Sequence, residues 1–273
     1  MPPSLTAQQK AKISHFASVT EAPERSAAKY LRSADWNVQQ AVNAFYHAGT
    51  GGGNNSAQTA ALNKLFDHYR DDPQENPDTI GVEGAMRYLS DLSVQLDEPA
   101  VLAVGEALQA PTMGEFTRDG FVKGWRSLSA DTLSKQQNAV SRIRTTLPTD
   151  LDLFRRVYRY TFLLARTSGQ KAVALDAAIE YWRLLFTPPR GVAWSTSSGT
   201  PWLEWWITYL QERWKRTVNR DMWNMTYEFF KKSTEQENLD WWDEQGAWPG
   251  VLDEFVAYVK ERRREAENGS MEE

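Results

Sequence analysis

A chain of 273 residues that is 41% hydrophobic and 25% charged suffices for one large domain, or an ordinary one plus a small module, and lies far from the composition of disordered proteins. Its formal charge of −5 argues against nucleic acid as a partner, because a phosphate backbone selects basic surfaces. Cysteine is absent, which excludes disulfides, thiolate metal sites and any mechanism that carries a group on a thiol of this chain.

The opening MPPSLTAQQK has no apolar signal core and no glycine for myristoylation, and no stretch approaches the ~18 apolar residues of a membrane span. A cytoplasmic and/or nuclear protein without a membrane partner is expected. Ala7 to Ala17 reads as helix, and Pro23 starts a second one carrying Ala27, Ala28, Tyr30 and Leu31. Val38, Ala41, Val42 and Phe45 fall at i, i+3, i+4 and i+7 behind Asp35 as a cap. Residues 1–47 therefore read as a three-helix bundle. Residues 48–58, rich in Gly, Asn and Ser, read as a flexible linker.

Helical periodicity continues over residues 59–264, where strand signals are nearly absent, so an all-α protein is expected. Leu62, Leu65 and Phe66 open one helix; Met86, Leu89 and Leu92 share a side of another. After Pro148, with Asp150 or Asp152 as cap, Phe154, Val157, Tyr158, Phe162 and Ala165 stripe a third, and Leu175, Ala178, Ile179, Trp182 and Leu185 the next. Thr187 to Pro201 reads as an inserted loop, followed by helices over Trp202–Trp214 and Met222–Lys231. The last starts at Pro249, with Leu252, Phe255, Val256 and Val259 on its stripe. Residues 265–273 read as a disordered tail.

Two helix–loop–helix segments carry an EF-hand skeleton. In the first, Ile80-Gly81-Val82 occupies the short pairing segment, but Pro73, Glu75, Pro77 and Gly84 fall at ligand positions. In the second, Gly114 and Phe116 keep positions 6 and 8, yet the ligand positions hold Gln109, Pro111, Met113 and Gly120. A hard cation needs six to eight oxygens, so a paired EF-like fold without metal or other cofactor is expected. His15, His47 and His68 have no partner at helical spacing and read as surface residues. Ten of the twelve Trp lie from Trp182 onward, including Glu204-Trp205-Trp206 and Asp240-Trp241-Trp242-Asp243-Glu244. A Trp-lined carbohydrate-active enzyme with paired carboxylates is one reading of them; the helical spacing of Trp202, Trp205, Trp206 and Tyr209 favours core packing.

Gly246-Ala247-Trp248-Pro249 followed by Val251-Leu252-Asp253-Glu254-Phe255-Val256, with Arg220-Asp221-Met222-Trp223-Asn224 upstream, resembles the cullin-binding (PONY) domain of the defective-in-cullin-neddylation protein family. Ile80 to Gly84 and Glu115-Phe116 resemble its degenerate EF-hands, and Ala178 to Trp182 one of its middle helices. The resemblance spans about Leu62 to Tyr258, and the N-terminal bundle resembles the ubiquitin-associated (UBA) module of some members.

The resemblance implies a scaffold-type E3 for neddylation, holding the modifier's E2 enzyme against the C-terminal winged-helix domain of a cullin. The missing cysteine fits a protein that acts by positioning alone. Asp221, Ala247 and Asp253 match the family's acidic cullin-binding patch, although both acids also lie where a helix N-terminus favours them. Val82, Ala85, Val101, Val104, Leu164, Tyr181 and Leu184 match the apolar pocket for the E2's N-acetylated N-terminus; each serves equally as ordinary core. For the bundle the resemblance implies ubiquitin or a similar modifier as partner, through Val19, Thr20, Ala44 and Phe45. The RING subunit of cullin ligases is a further partner in that reading. A cullin-binding regulatory module without transfer activity is the alternative.

Overall fold

The computed structural model describes residues 5–20, 22–47, 52–196 and 199–269, and the chain divides into two compact units, Met1–Ala60 and Ala61–Glu273. In the first, α1 (Ala7–Thr20), α2 (Glu24–Ser33) and α3 (Val38–His47) bury Ile13, Phe16, Ala27, Leu31, Ala41 and Phe45. Thr6 and Gln9 start α1 with a reciprocal cap: the Gln9 amide donates to Thr6 Oγ1 at 3.2 Å and the Thr6 amide to Gln9 Oε1 at 3.0 Å. The cap of α3 is Asn37, whose Oδ1 accepts from the Gln40 amide at 3.1 Å. Asp35 instead sits with Trp36 in a left-handed turn (φ 47° and 63°), a conformation that short polar residues tolerate.

Helix α4 (Gly52–Tyr69) begins inside the expected linker, so residues 52–58 are helical and residues 48–51 lie outside the described residues. The good helix formers from Ala57 to Leu65 nucleate the helix, and adding residues to an existing turn is far cheaper than starting one. Two short antiparallel strands follow, β1 (Thr79–Ile80) and β2 (Phe116–Thr117), with Ile80 opposite Phe116 and Thr79 opposite Thr117. They join the helix pairs α4–α5 (Val82–Asp91) and α6 (Pro99–Ala107)–α7 (Arg118–Ser127) as a pair of EF-hands does. The oxygens of the first loop close on a guanidinium: Arg118 donates to Asp78 Oδ1 at 2.6 Å, Asp67 Oδ1 at 2.7 Å and the Pro77 carbonyl at 2.7 Å.

Beyond α8 (Leu133–Thr146), the arrangement repeats. Helices α9 (Leu151–Ala165) and α10 (Leu175–Phe186) flank β3 (Ala172–Val173); α11 (Trp202–Tyr209) runs into a π-turn over Leu210–Trp214, and β4 (Val218–Asn219) leads into α12 (Arg220–Glu235). Strands β3 and β4 pair antiparallel, Ala172 opposite Asn219, a second pairing where the sequence shows almost no strand signal. Asp150 caps α9, its Oδ1 accepting from the Asp152 and Leu153 amides at 3.0 and 2.9 Å. Helix α13 runs from Gly250 to Gly269, so residues 265–269 of the expected tail are helical; Glu, Arg and Ala are good helix formers, and adding residues to an existing helix is cheap.

Trp125, Trp182, Trp202, Trp206 and Trp223 are fully buried. Trp182 stacks on Trp223 at 5.0 Å, Trp223 on Tyr158 at 4.8 Å, and Trp206 meets Phe255 edge-on at 4.9 Å. Such rings supply most of the apolar area a core removes from water. Trp202 and Trp206 have no solvent-facing surface for a ligand, which takes them out of any Trp-lined sugar cleft; Trp205, Trp241 and Trp242 are half-buried against the same core. The loop after α10 is tied down by Trp194, which is buried and donates through Nε1 to Ser233 Oγ at 3.0 Å. Among the described residues no helix is long and apolar enough to cross a membrane.

Candidate functional site

The EF-like pairing of β1 with β2 brings the start of α5, the face of α6 and the loop before β2 around one apolar cleft of about 210 Å³, closed on one side by Leu164 of α9. Val82, Ala85, Val101 and Leu164 line it, as do Met86, Leu89, Leu96, Gly105, Ala110, Met113 and Phe116. Val82, Met86, Leu96 and Met113 remain 63%, 54%, 57% and 37% exposed. A monomer rarely leaves a contiguous group of such side chains open unless something covers it. No ionisable side chain lines the cleft, and Thr112 is its one side-chain polar group. The cleft therefore suits a neutral apolar group, since a charge there would lose hydration without a counter-ion.

Three of the residues expected there stand elsewhere. Val104 is fully buried in the core, and Tyr181 and Leu184, half-buried on α10, do not line the cleft. Sequence reasoning missed Met86, Leu96 and Met113 at the mouth, because an apolar side chain on a helix or loop carries no mark of whether it faces core or solvent. The density of apolar residues between Met86 and Met113 was the available signal.

The acidic positions fall in two places. Asp253 lies in the first turn of α13, half-buried, with Oδ1 sealed from solvent and without a hydrogen-bond partner. Burial, and then the neighbouring Glu244 carboxylate, hold its carboxyl above the usual aspartate range. Glu244 is thus a member of this group that sequence reasoning left out. Ala247 is exposed on a loop fixed by Trp248, which stacks on Trp242 at 4.9 Å. Lys232 Nζ stands 5.1 Å from the Trp241 ring and 5.9 Å from that of Trp248. Asp221 is exposed in the first turn of α12, eleven residues before Lys232, hence roughly 16 Å away along the helix.

In the bundle, Val19 is 47% exposed and Ala44 is exposed. Thr20 and Phe45 are buried: the Thr20 hydroxyl donates to the Phe16 carbonyl at 2.8 Å, and Phe45 packs edge-on against Phe16 and Tyr30 at 5.5 and 5.4 Å. These two hold the bundle together, leaving Val19 and Ala44 as the accessible members of the set.

Comparison with known proteins agrees with this division. The family profile described as "Cullin binding" matches residues 135–258, and that described as "UBA-like domain" matches residues 10–52. Defective in cullin neddylation protein 1 of Pyricularia oryzae is 35% identical over 267 residues, covering 94% of this chain and 95% of the relative. Its namesake in Yarrowia lipolytica is 33% identical over 252 residues, covering 91% and 96%. DCN1-like protein 3 of Drosophila melanogaster is 33% identical over 202 residues, 74% of this chain and 56% of that protein. At this identity across nearly the whole of both chains, the protein belongs to the defective-in-cullin-neddylation family.

Proposed function

We propose that this protein is a scaffold-type E3, or co-E3, in cullin neddylation: it holds the neddylation E2 and the cullin C-terminal domain together so that the E2 thioester meets the acceptor lysine. The observation that carries this reading is the uncharged cleft with four exposed apolar residues at its mouth. It accepts the N-acetylated N-terminus of the E2, because acetylation removes the ammonium whose desolvation would oppose entry. The cullin meets the acidic positions, Asp253 with Glu244 beside Ala247 and Asp221 at the head of α12, through basic side chains that make charge-assisted hydrogen bonds to the accessible carboxylates.

With no cysteine in the chain, no thioester to the modifier forms on it, and acceleration comes from raised effective concentration of lysine and thioester. In this reading the RING subunit of the cullin ligase is a further partner, and the bundle contributes a weak contact to ubiquitin or the modifier through Val19 and Ala44. The reading places the work in the cytoplasm or nucleus. Calorimetric titration with a peptide of the E2 N-terminus tests the cleft: the N-acetylated form binds and the free-amine form does not. Equal affinities would remove the cleft from the mechanism.

A further inference from the structure

An adjoining face of α9 carries a feature of opposite character. Arg156, Arg159, Tyr160 and Leu163 form one stripe on the helix and, with Glu106 and with Arg220 and Asn224 of α12, line a groove of about 420 Å³. Arg156 and Arg159 have side chains 58% and 48% exposed, and each is only loosely paired: Arg156 with Glu106 at 3.6 Å, Arg159 at 3.5 Å with a Glu228 that already takes Arg155 at 3.2 Å. Arg220 lies 5.8 Å above the Phe162 ring and, among the described residues, has no carboxylate within ion-pair distance. Asp221 follows Arg220 in sequence but points about 100° around the helix from it. In a chain of net charge −5 this is a local cationic surface.

We propose that the groove between α9 and α12 docks an acidic polypeptide segment, its carboxylates taken by Arg156, Arg159 and Arg220. Guanidinium groups bind carboxylates in two-point geometry, Leu163 gives an apolar floor, and the Asn224 amide offers a donor and an acceptor to a peptide backbone. A nucleic acid fits less well. Single strands require exposed rings for base stacking, whereas Tyr160 is half-buried with its hydroxyl committed to the Ala110 carbonyl at 2.9 Å and Phe162 is buried beneath Arg220. The Glu106 carboxylate in the wall, with Glu228 beside Arg159, tolerates spaced acids but repels a continuous polyphosphate. This site is separate from the apolar cleft, and its test does not depend on the E2 reading.

The test is fluorescence anisotropy at low salt with the full chain and a labelled peptide of alternating glutamate and serine, with a glutamine–serine peptide and a single-stranded oligonucleotide of equal charge as comparisons. Wild type is expected to bind the glutamate peptide, with affinity falling as salt rises, and not the glutamine peptide. Arg159→Glu with Arg220→Glu is expected to weaken binding by about tenfold or more, while its thermal transition stays at the wild-type temperature. Lys12→Glu, in the N-terminal bundle, is expected to leave binding unchanged. Absence of binding by wild type, retention by the doubly substituted chain, or tighter binding of the oligonucleotide would each overturn the proposal.

Discussion

Gly105 and Leu164 meet at the floor of the apolar cleft without room between them: a Cβ on Gly105 would stand 2.9 Å from Leu164 Cδ1. Gly105→Ala therefore pushes a leucine methyl, and the space open to it is the cleft. Helix propensity gains up to about 1 kcal/mol from the same change, so global stability is expected to hold. Affinity for an N-acetylated E2 peptide is expected to fall several-fold by calorimetry, and an unchanged affinity would move the ligand away from Leu164.

Tyr158 ties three helices. Its hydroxyl accepts from Trp182 Nε1 at 2.9 Å and donates to the Trp223 carbonyl at 2.8 Å, while Trp223 Nε1 donates back to the Tyr158 carbonyl at 2.9 Å. Tyr158→Phe leaves a buried indole N–H without an acceptor, at a cost of about 2–3 kcal/mol. Urea denaturation is expected to show a lower midpoint with an unchanged slope.

The buried Glu98 is held by Arg144, which donates to its two oxygens at 2.9 and 2.8 Å and also bonds the Ser93 carbonyl. Burial alone raises the Glu98 carboxyl; the hydrogen bonds from Arg144 and the Gln95 amide, with the charges of Arg144 and Arg190, outweigh it and hold the carboxyl below the usual glutamate range. A carboxyl depressed in the folded state contributes stability above its unfolded pKa and loses it as pH falls through the folded one. Acid unfolding below about pH 4.5 should therefore include this group. Arg144→Met should cost about 3–5 kcal/mol at neutral pH by stranding the carboxylate, with part of that loss recovered at low pH.

Asp253 has the opposite sign. Its carboxyl is raised by burial and by Glu244, so its ionisation opposes folding once pH exceeds the ordinary aspartate value. Asp253→Asn is expected to leave the thermal transition of the free protein equal or higher at pH 7, while binding of a cullin C-terminal fragment falls by about tenfold or more. A large drop in stability with intact binding would make Asp253 a helix cap alone.

Much of this architecture is legible in the sequence where residue chemistry is tied to position. The Leu252–Val259 stripe and the Ile80/Phe116 pairing each follow from spacing that one geometry satisfies, whereas the cap of α9 is narrowed only to Asp150 or Asp152. The β3–β4 pair is not legible, because Ala172-Val173 and Val218-Asn219 are too short to alternate. The cleft is half legible: Val101 and Val104 share a stripe, and only packing decides that Val101 reaches the cleft while Val104 is sealed. The start of α4 at Gly52 and the extension of α13 to Gly269 show helix propagation overriding weak local propensity.

Single-turnover kinetics test most directly whether the protein accelerates transfer by positioning. The rate of modifier transfer from a charged, N-acetylated E2 to a cullin C-terminal fragment is measured with wild type, with Asp253→Arg, and with no added protein. Stimulation by wild type alone is the predicted result. A wild-type rate equal to the unassisted one, in an assay where an active relative accelerates transfer, would contradict the account.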